Sequence, residues 1–431
     1  MPSSQSSSAS ASISTPMSFG ELGLCTELVN TVTEKGYTSA SPIQQQAIPA
    51  VLNGRDVIAI AQTGTGKTAS FSLPILQLLA NTPPAKPHCV KSLIVAPTRE
   101  LAAQVAKNVE SYSDGMNIRS TAVFGGVRIE PQKFELAQGV DILIATPGRL
   151  VDLYKQGDIN FEHIEMLVLD EADRMLDLGF VEHIHFIQSL LPKQRQTLLF
   201  SATFSKEIKA LAATMLNNPI TIELATAHDH IENITQILHP VDKERKHELV
   251  IHLLKSNDWS QVLAFTRTKR GADELRNELE AMGIAAESIH ANRTQHARTQ
   301  ALDGFRDGSL KVLIGTDLAA RGIDIQQLPC VINVDLPYVP EDYIHRIGRT
   351  GRASSKGLAI SLYSDDETKQ LRSIERLTGR QFKKTFISEF TPSPKPPAVK
   401  KDKIEESLYG NFEAFDKPTG KKKSKGRKKR R

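Results

Sequence analysis

The chain of 431 residues has few cysteines, few aromatic residues and no long apolar run. Its three cysteines, Cys25, Cys89 and Cys330, stand far apart without a CxxC pair, which excludes a disulfide framework and favours a cytoplasmic location. No stretch approaches the roughly 18 consecutive apolar residues that a membrane-spanning helix needs. The first eighteen residues contain no Lys or Arg and no apolar core, so we expect no secretory signal there. A membrane protein and a secreted protein are both disfavoured.

Positive charge is concentrated at the C-terminal end. The formal net charge is +5, but residues 417–431 contain ten Lys or Arg and no acid, which leaves −5 for the rest of the chain. Such a tail neutralises phosphates without selecting a sequence, and we favour nucleic-acid contact over a solubility tail or an address signal. His228-Asp229-His230 lacks further ligands at suitable spacing, so we interpret it as linker and not as a zinc site.

Apolar runs alternate with helical patterns in two series, which indicates two α/β domains. Runs typical of buried strands occupy 57–61, 92–96, 141–145, 166–169 and 197–200, then 261–265, 287–289, 311–314, 331–334 and 358–362. Such runs predict parallel sheets covered by helices on both faces. Ligands of these sheets gather beyond the carboxyl ends of the strands, which favours a cleft between the two domains.

The composition also predicts where the domains begin and end. We expect a disordered Ser-rich head over 1–17, a first domain over 18–224, a linker over 225–232, a second domain over 233–385 and a disordered basic tail over 386–431. In the second domain, helical spacing of apolar residues predicts a helix that ends at Gly283, with the spacing carried by Ala272, Leu275, Leu279 and Met282.

A phosphate-binding loop is predicted between a strand and a helix, in the sequence Gln62-Thr63-Gly64-Thr65-Gly66-Lys67-Thr68. Its glycines let backbone N–H groups approach a triphosphate, Lys67 would reach the outer phosphates, and the Thr68 hydroxyl would bind Mg²⁺. Ala61 stands where the general pattern has its first glycine, so the match is incomplete.

A second part of the same site follows the strand at 166–169, where the chain continues as Asp170-Glu171-Ala172-Asp173. An acid at the end of a hydrophobic strand, downstream of a phosphate loop, is where a nucleoside triphosphatase holds Mg²⁺. We predict that Asp170 binds the metal and that Glu171 positions or deprotonates the attacking water. A charged turn that merely closes a strand is the plainer alternative.

The sequence Asp170-Glu171-Ala172-Asp173 also resembles the signature of the DEAD-box RNA helicases. The other motifs of that family appear in their usual order over about residues 18–377. They are Phe19 with 36–44, then 97–101, 125–126, 146–149, 201–203, 263–268, 316–324 and 345–352. Within the family the chain is most similar to the bacterial RhlE-type helicases. The resemblance implies two tandem RecA-like domains, ATP and Mg²⁺ as ligands, and RNA-stimulated ATP hydrolysis that locally unwinds short duplexes or remodels RNA–protein complexes.

The resemblance assigns further roles at the nucleotide. It implies that Gln44 recognises adenine, that Phe19 stacks on the base, and that Asp317 bonds the ribose. Ser41-Pro42-Ile43-Gln44 also has the pattern of a capping box, and we favour adenine recognition. Arg349 and Arg352 lie three residues apart, so one helical face could direct both guanidiniums at the γ-phosphate, although a surface basic patch would show the same spacing.

RNA contacts and interdomain coupling are implied by the resemblance alone. The residues facing RNA would be Thr98, Arg99, Gly126, Thr146, Arg149, Thr316 and Arg321, and those coupling the domains would be Asp173, Ser201, Thr203 and His345. Few aromatic residues lie in these motifs, so we expect the protein to bind the RNA backbone and not the bases. Binding should then be largely independent of the RNA sequence. The sequence departs from the family at Ala291, Arg293 and Gly315, on the side of the second domain expected to face RNA.

These patterns together predict an ATP-dependent RNA helicase with a monomeric core. Partners in ribosome assembly or RNA decay would fit equally well. A DNA helicase, an inactive scaffold and a metabolic ATP-dependent enzyme are the alternatives. An inactive scaffold would need a broken motif, and a metabolic enzyme would not need the arginines of the second domain.

Overall fold

A computed structural model of the chain describes residues 17–62, 64–224, 233–317, 325, 327–351 and 357–393. The expected linker lies outside these residues, as do nearly all of the expected head and most of the expected tail. Three predicted site residues, Thr63, Arg321 and Arg352, also lie outside them. Among the described helices, none has both the length and the apolar character needed to span a membrane.

Seven parallel strands form the first sheet. They are β1 (Val57–Ile60), β2 (Val90–Val95), β3 (Ser120–Val123), β4 (Val140–Ala145), β5 (Met166–Leu169), β6 (Gln196–Ser201) and β7 (Ile220–Glu223). Their order across the sheet is β3-β4-β2-β5-β6-β1-β7. The five strands predicted for this domain are its five interior strands, whereas the edge strands β3 and β7 were not predicted.

Helices cover both faces of the first sheet. They are α1 (Thr26–Glu34), α2 (Pro42–Leu52), α3 (Lys67–Ala80), α4 (Arg99–Tyr112), α5 (Glu130–Ala137), α6 (Pro147–Lys155), α7 (Ala172–Asp177), α8 (Val181–Leu190) and α9 (Lys206–Met215). Alternate residues of β1 enter different cores, since Val57 and Ala59 belong to one apolar cluster and Ile58 and Ile60 to the other. A strand buried on both faces must be continuously apolar, which explains why these runs were visible in the sequence.

Six parallel strands form the second sheet. They are β8 (Ile234–Pro240), β9 (Val262–Phe265), β10 (Ala286–Ile289), β11 (Val312–Gly315), β12 (Cys330–Asn333) and β13 (Gly357–Tyr363), in the order β10-β11-β9-β12-β13-β8. The helices that accompany them are α10 (Lys246–Ser256), α11 (Lys269–Ala281), α12 (Gln295–Arg306), α13 (Pro340–Ile347) and α14 (Thr368–Thr378). The expected fold class, two α/β domains with parallel sheets, is confirmed.

In the second domain, the predicted helix that stops at Gly283 is confirmed, except that Met282 does not belong to its apolar face. Helix α11 ends at Ala281, and Met282 beyond it is 52% exposed and outside the core. The helix stops there because Gly283 takes φ +74°, a left-handed conformation in which glycine is favoured.

The C-terminal end of the second domain also differs from the expected boundary at residue 385. Residues 381–391, here called the strap, run past the edge strand β8, where Thr385 N donates to Leu238 O at 2.8 Å. Phe390 is buried in the apolar core of this domain. An apolar anchor within a polar segment made this extension hard to recognise in the sequence.

Candidate nucleotide and RNA site

The predicted site residues of the first domain gather at one edge of its sheet. In parallel strands the carboxyl ends share one edge, and β6 lies between β1 and β5. The phosphate loop after β1 and the acids after β5 are therefore about 10 Å apart, two strand spacings. The neighbouring strands β2, β4 and β3 lead into the motifs predicted to face RNA. The edge thus divides into a nucleotide half and an RNA half.

The phosphate loop has the backbone that a polyphosphate site requires. Gly64 and Gly66 take φ +82° and +93°, and Gly66 begins the 14-residue helix α3. The positive end of that helix lies at the loop, which favours a bound anion. Lys67 is buried, and its ammonium donates to Ala61 O at 2.8 Å. Thr65 Oγ1 closes the turn by donating to Gln62 O at 2.8 Å.

Gln44 links the start of α2 to this loop. Its Oε1 accepts from Ser41 N at 2.8 Å, and its Nε2 donates to Gly66 O at 3.2 Å. The capping box, one of the two interpretations offered by the sequence, is confirmed. Gly66 packs so closely on the Gln44 amide that a Cβ there would collide with it. Recognition of adenine by Gln44 stays a prediction.

Phe19 lies deeper than its predicted role suggests. Its side chain is only 3% exposed, and its ring meets that of Tyr37 edge-on at 6.2 Å. Tyr37 is more exposed, and its hydroxyl lies 3.1 Å from the Tyr112 hydroxyl. Stacking of Phe19 on a base stays a prediction, and Tyr37 is the more accessible ring beside it.

Asp170 is the most perturbed acid of the site. It is 3% exposed, and its Oδ1 has no hydrogen-bond partner among the described residues. Burial raises the pKa of Asp170 to about 7, against the opposing charge of Lys67, while Glu171 adds to the rise. A buried, unsatisfied carboxylate oxygen suits a hard divalent cation, and Thr68 offers a hydroxyl in the first turn of α3. The residues present therefore fit Mg²⁺.

Glu171 stands at a strained turn. This residue takes φ +52°, a left-handed conformation that a non-glycine residue rarely adopts, and it is buried between β5 and α7. Such strain is retained where the surrounding structure imposes it, often at functional sites. The Asp170 N–H donates to Val95 O at 3.0 Å and fixes the start of the turn.

Three of the four predicted coupling residues come together in the first domain. Asp173 Oδ2 accepts from Ala202 N and Thr203 N, each at 3.1 Å. Ser201 Oγ donates to Thr203 O at 2.8 Å. The fourth residue, His345, lies on α13 of the second domain, with its Nδ1 3.8 Å from the Asp342 carboxylate. Its coupling role stays a prediction.

The expectation that Arg349 lies on a helical face with Arg352 is wrong. Helix α13 ends at Ile347, and Arg349 follows Gly348 in a turn that continues to Gly351 at φ +70°. Thr350 Oγ1 donates to Leu328 O and ties this turn to the segment that precedes β12. Two glycines so close together end the helix, which spacing alone did not reveal. Arg349 is buried.

Arg346 is a functional candidate that sequence reasoning missed. It forms a bidentate pair with Asp317, with Nε–Oδ1 and Nη2–Oδ2 distances of 2.5 and 2.7 Å. Arg346 is 2% exposed, donates to Asp335 O at 2.6 Å, and lies 5.0 Å from the centre of the Phe265 ring. The position of Asp317, predicted to bond the ribose, is thus set by this guanidinium. A third arginine in the motif 345–352 was the available signal.

The RNA half of the edge opens into a cavity of about 640 Å³. Both domains line it, the first with Thr98, Arg99, Thr146 and Arg149 and the second with Ala291 and Arg298. Gly126 packs under the Arg99 guanidinium, where a Cβ would collide with it. The structure thus brings together five of the residues predicted to face RNA. Thr316 is buried directly after β11, and its RNA contact stays a prediction.

Two of these cavity residues are held in place by their neighbours. Arg149 Nη1 donates to Gln132 Oε1 at 3.0 Å, and its Nη2 donates to Val127 O at 3.2 Å. Thr98 begins α4, where its hydroxyl accepts from Leu101 N at 3.2 Å. Phosphate-binding groups held in this way lose little freedom when they bind.

A buried pair beside the cavity joins the two domains. Glu100 Oε2 lies 2.9 Å from Arg298 Nη2, and both side chains are about nine-tenths buried. Glu100 Oε1 accepts from Gln295 Nε2 at 3.0 Å. Burial lowers the pKa of Arg298, and the Glu100 charge opposes that shift. Sequence reasoning missed Gln295 and Arg298, whose spacing of three on α12 was the only signal.

The three departures from the family pattern have different surroundings. Ala291 lines the cavity. Arg293 instead binds within the second domain, with its Nη2 2.8 Å from Ser288 Oγ and 3.3 Å from Asp273 Oδ1. Gly315 ends β11, and its carbonyl accepts from Thr266 N. Of the three, the cavity lining includes Ala291 alone.

Comparison with known proteins gives one consistent answer. The DEAD/DEAH box helicase family matches residues 41–211, and the helicase conserved C-terminal domain matches residues 245–354. The DEAD-box ATP-dependent RNA helicase CshA of Geobacillus kaustophilus is 40% identical over 85% of this chain and 78% of its own length. The ATP-dependent RNA helicase RhlB of Pseudomonas syringae pv. tomato is 39% identical over 84% of this chain and 93% of its own.

Solved structures agree. The structure of S. cerevisiae Dbp5 bound to RNA and ADP BeF3 has a TM-score of 0.75 and 32% identity, and it covers 87% of this chain and 95% of the Dbp5 chain. The family matches include β1–β6 of the first sheet, β9–β12 of the second sheet, the phosphate loop and the acids after β5. The chain therefore belongs to the DEAD-box ATP-dependent RNA helicases, enzymes that couple ATP hydrolysis to the unwinding of RNA.

Proposed function

We propose that the enzyme acts as a clamp, in which the two domains jointly hold ATP and RNA. The observation that carries this proposal is the cavity lined by both domains, with the buried Glu100–Arg298 pair beside it. This pair forms only where the two domains meet, so opening of the cleft would separate Glu100 from Arg298 and expose both charges to water. Opening and closing of the cleft would therefore be discrete states and not a gradual motion.

In the nucleotide half, each group of the first domain has a proposed task. The loop from Ala61 to Lys67 holds the phosphates, and Thr68 with Asp170 holds Mg²⁺. When bound, Mg²⁺ would supply charge neutralisation at the phosphate oxygens. Glu171 orients the attacking water and accepts its proton. Gln44 and Phe19 bind the base, in line with the direct bond between Gln44 and the loop.

The second domain would complete this reaction centre. Arg349 and Arg352 stabilise the charge that develops on the γ-phosphate, and Asp317 bonds the ribose. The buried Arg346 holds Asp317 in place for this contact. Catalytic geometry then exists only when the cleft is closed, so closure and hydrolysis are linked.

In the RNA half, hydroxyls, guanidiniums and a glycine backbone amide would bind the phosphates of one strand. Because these groups bind the RNA backbone, binding is largely independent of the RNA sequence. RNA that touches both domains favours the closed state, so ATP and RNA raise each other's affinity equally, typically by about 1–3 kcal/mol. Each base-pair step of DNA contributes about 1.4 kcal/mol of stacking free energy, and we take the same value for RNA. One closure of the cleft therefore disrupts only a few base pairs.

We further propose the finer identity and setting of the enzyme. The subgroup is the RhlE type, and the location is the cytoplasm, which the sparse cysteines support. Each domain has its own core in the described residues, which supports a monomeric core. Partners in ribosome assembly or RNA decay fit a bacterial relative of this kind.

The decisive experiment is ATP turnover measured with RNA, with DNA of matched sequence, and with neither. We expect stimulation by RNA and little by DNA. Equal stimulation by both would favour a DNA helicase, and turnover independent of nucleic acid would contradict the clamp.

A companion variant tests the assignment of Glu171. Glu171→Gln keeps the size and most hydrogen bonds of the side chain but cannot accept the proton from water. We expect it to retain ATP-dependent RNA binding and to lose turnover by at least about 100-fold. Equal loss of both properties would overturn the role given to Glu171.

A further inference from the structure

A second charged surface lies on the far side of the second domain from the RNA cavity. It consists of four basic residues, here called the basic flank, namely Arg372, Arg376, Lys383 and Lys384. The first two lie on α14, and the other two lie on the strap. All four side chains are exposed, and within the described residues none of them pairs with a carboxylate.

The strap brings its two lysines beside the helix. Phe382 N donates to Glu375 Oε1 of α14 at 3.1 Å. The Lys384 ammonium lies 4.8 Å from the centre of the Tyr363 ring, and the Tyr363 hydroxyl lies 2.9 Å from Thr368 Oγ1 at the start of α14. The strap therefore runs back along α14, from its end toward its beginning.

The two arginines face the same side of the helix as the strap. At about 100° per residue, the buried positions Leu371, Ile374 and Thr378 define the inner face of α14. Glu375 lies on the flank that meets the strap, and Arg372 and Arg376 follow it toward solvent on that flank. Lys369 lies at the outermost position of α14, next to Arg372 and Arg376, and the opposite flank carries the uncharged Gln370, Ser373 and Leu377. The four charges thus form one surface.

The acidic residues near the basic flank do not neutralise its positive charge. Glu375 is half-buried and already accepts the Phe382 N–H. Asp366 precedes α14, and its Oδ2 lies 3.0 Å from Lys243 Nζ. Asp366 therefore pairs with Lys243 and not with the basic flank. The unbalanced positive charge is therefore concentrated at the basic flank and the adjoining Lys369.

We propose that the basic flank is a second RNA-binding surface, which holds the phosphate backbone of RNA outside the cleft. Arg372 and Arg376 are about 6 Å apart along the helix axis, a spacing compatible with neighbouring phosphates. The exposed ring of Phe386, two residues beyond Lys384, offers a stacking face for an unpaired base. A membrane or an acidic protein fits less well, since the enzyme already acts on RNA.

The basic flank is too distant for a short RNA to reach from the cavity. Ala291 of the cavity follows β10, and the strap lies at β8, which are opposite edges of the six-stranded sheet. Five strand spacings separate these edges by about 24 Å. At about 3.4 Å per nucleotide of a helical strand, at least about seven nucleotides are needed to span that distance.

The test compares RNAs of about 5 and about 40 nucleotides, the shorter of which cannot reach from the cavity to the basic flank. A variant with all four flank residues changed to Gln is measured beside a control variant that loses four charges elsewhere. The control changes Lys35, Lys86, Lys107 and Lys193 to Gln, all of which are exposed in the first domain. Binding is measured in the full chain at several salt concentrations, together with RNA-stimulated turnover.

We expect the flank variant to bind the long RNA about tenfold more weakly, with a salt slope smaller by about 2 to 3. Its affinity for the short RNA and its turnover at saturating RNA should match those of the control. Changing Arg372 and Arg376 to Lys should preserve binding, because charge and not packing is required. Unchanged affinity for the long RNA, or equal losses for both RNAs, would overturn the proposal, and the first result would point to an acidic protein partner instead.

Discussion

Asp170→Asn is expected to stabilise the nucleotide-free enzyme while abolishing its activity. The carboxyl group is buried, one of its oxygens lacks a partner among the described residues, and burial raises its pKa to about 7 from 3.8. The folded state therefore binds this proton more tightly than the unfolded state does. The contribution of Asp170 to the free energy of unfolding therefore falls as pH rises from about 4 to about 7, and it is constant above pH 7. An ordinary salt-bridged aspartate has the opposite effect, because its stabilising contribution increases with pH.

The size of the effect follows from the shift itself. At 1.36 kcal/mol per pKa unit, ionisation of Asp170 costs about 1–2 kcal/mol of folding free energy at pH 5 and about 4 kcal/mol at pH 8. Asn cannot ionise, so the stability advantage of the variant should grow by about 2–3 kcal/mol between these two pH values. For a domain of this size that corresponds to a Tm difference that widens by about 5–10 °C.

Thermal melts of the full chain, without nucleotide or divalent cation, at pH 5, 6, 7 and 8 provide the measurement. Asp114→Asn, at an exposed carboxylate of the same domain, is the control and should melt in parallel with the parent protein at every pH. Added Mg²⁺ and ATP should raise the Tm of the parent and not that of Asp170→Asn. Parallel pH profiles for parent and Asp170→Asn would refute the proposed cost of the buried charge.

Three further predictions concern the domain contact and the C-terminal end. Glu100→Gln should lower RNA-stimulated turnover by about 10-fold or more, because it leaves the Arg298 charge unpaired. Exchanging the two residues should restore part of the turnover. Unaltered turnover in Glu100→Gln would contradict the clamp. Phe390→Ala should lower the stability of the second domain by about 3 kcal/mol, measured by denaturant unfolding, whereas the exposed Phe386→Ala should change it by less than about 0.5 kcal/mol. Deleting residues 417–431 should weaken RNA binding and flatten its salt dependence, and a variant with unchanged affinity would exclude the tail as a tether.

Burial on two faces decided how much of the fold could be predicted. Every interior strand of the first sheet was visible as a continuous apolar run. The strands missed were β3, β7 and β8, which are all at sheet edges, where side chains are partly exposed and the apolar run is broken. A pattern that depends on full burial cannot report a strand that is buried on one side only.

Contacts between distant segments explain what the sequence could not show of the site. The phosphate loop and Asp170 were predicted because the chemistry lies within short, ordered motifs. The pairing of Arg346 with Asp317, and of Glu100 with Arg298, joins residues far apart in sequence, so neither motif discloses its partner. The position of Arg349 was mispredicted because two glycines ended a helix that spacing alone had extended.

The strap has a consequence for aggregation. Without residues 381–391, β8 would present unpaired N–H and C=O groups along the outer margin of the sheet, a template on which strands of other molecules can add. In the intact chain, Leu238 pairs with Lys384 and Thr385, and the lysines beside them repel a second copy. A fragment that stops at residue 380 should therefore self-associate, whereas one that continues to residue 391 should stay dispersed.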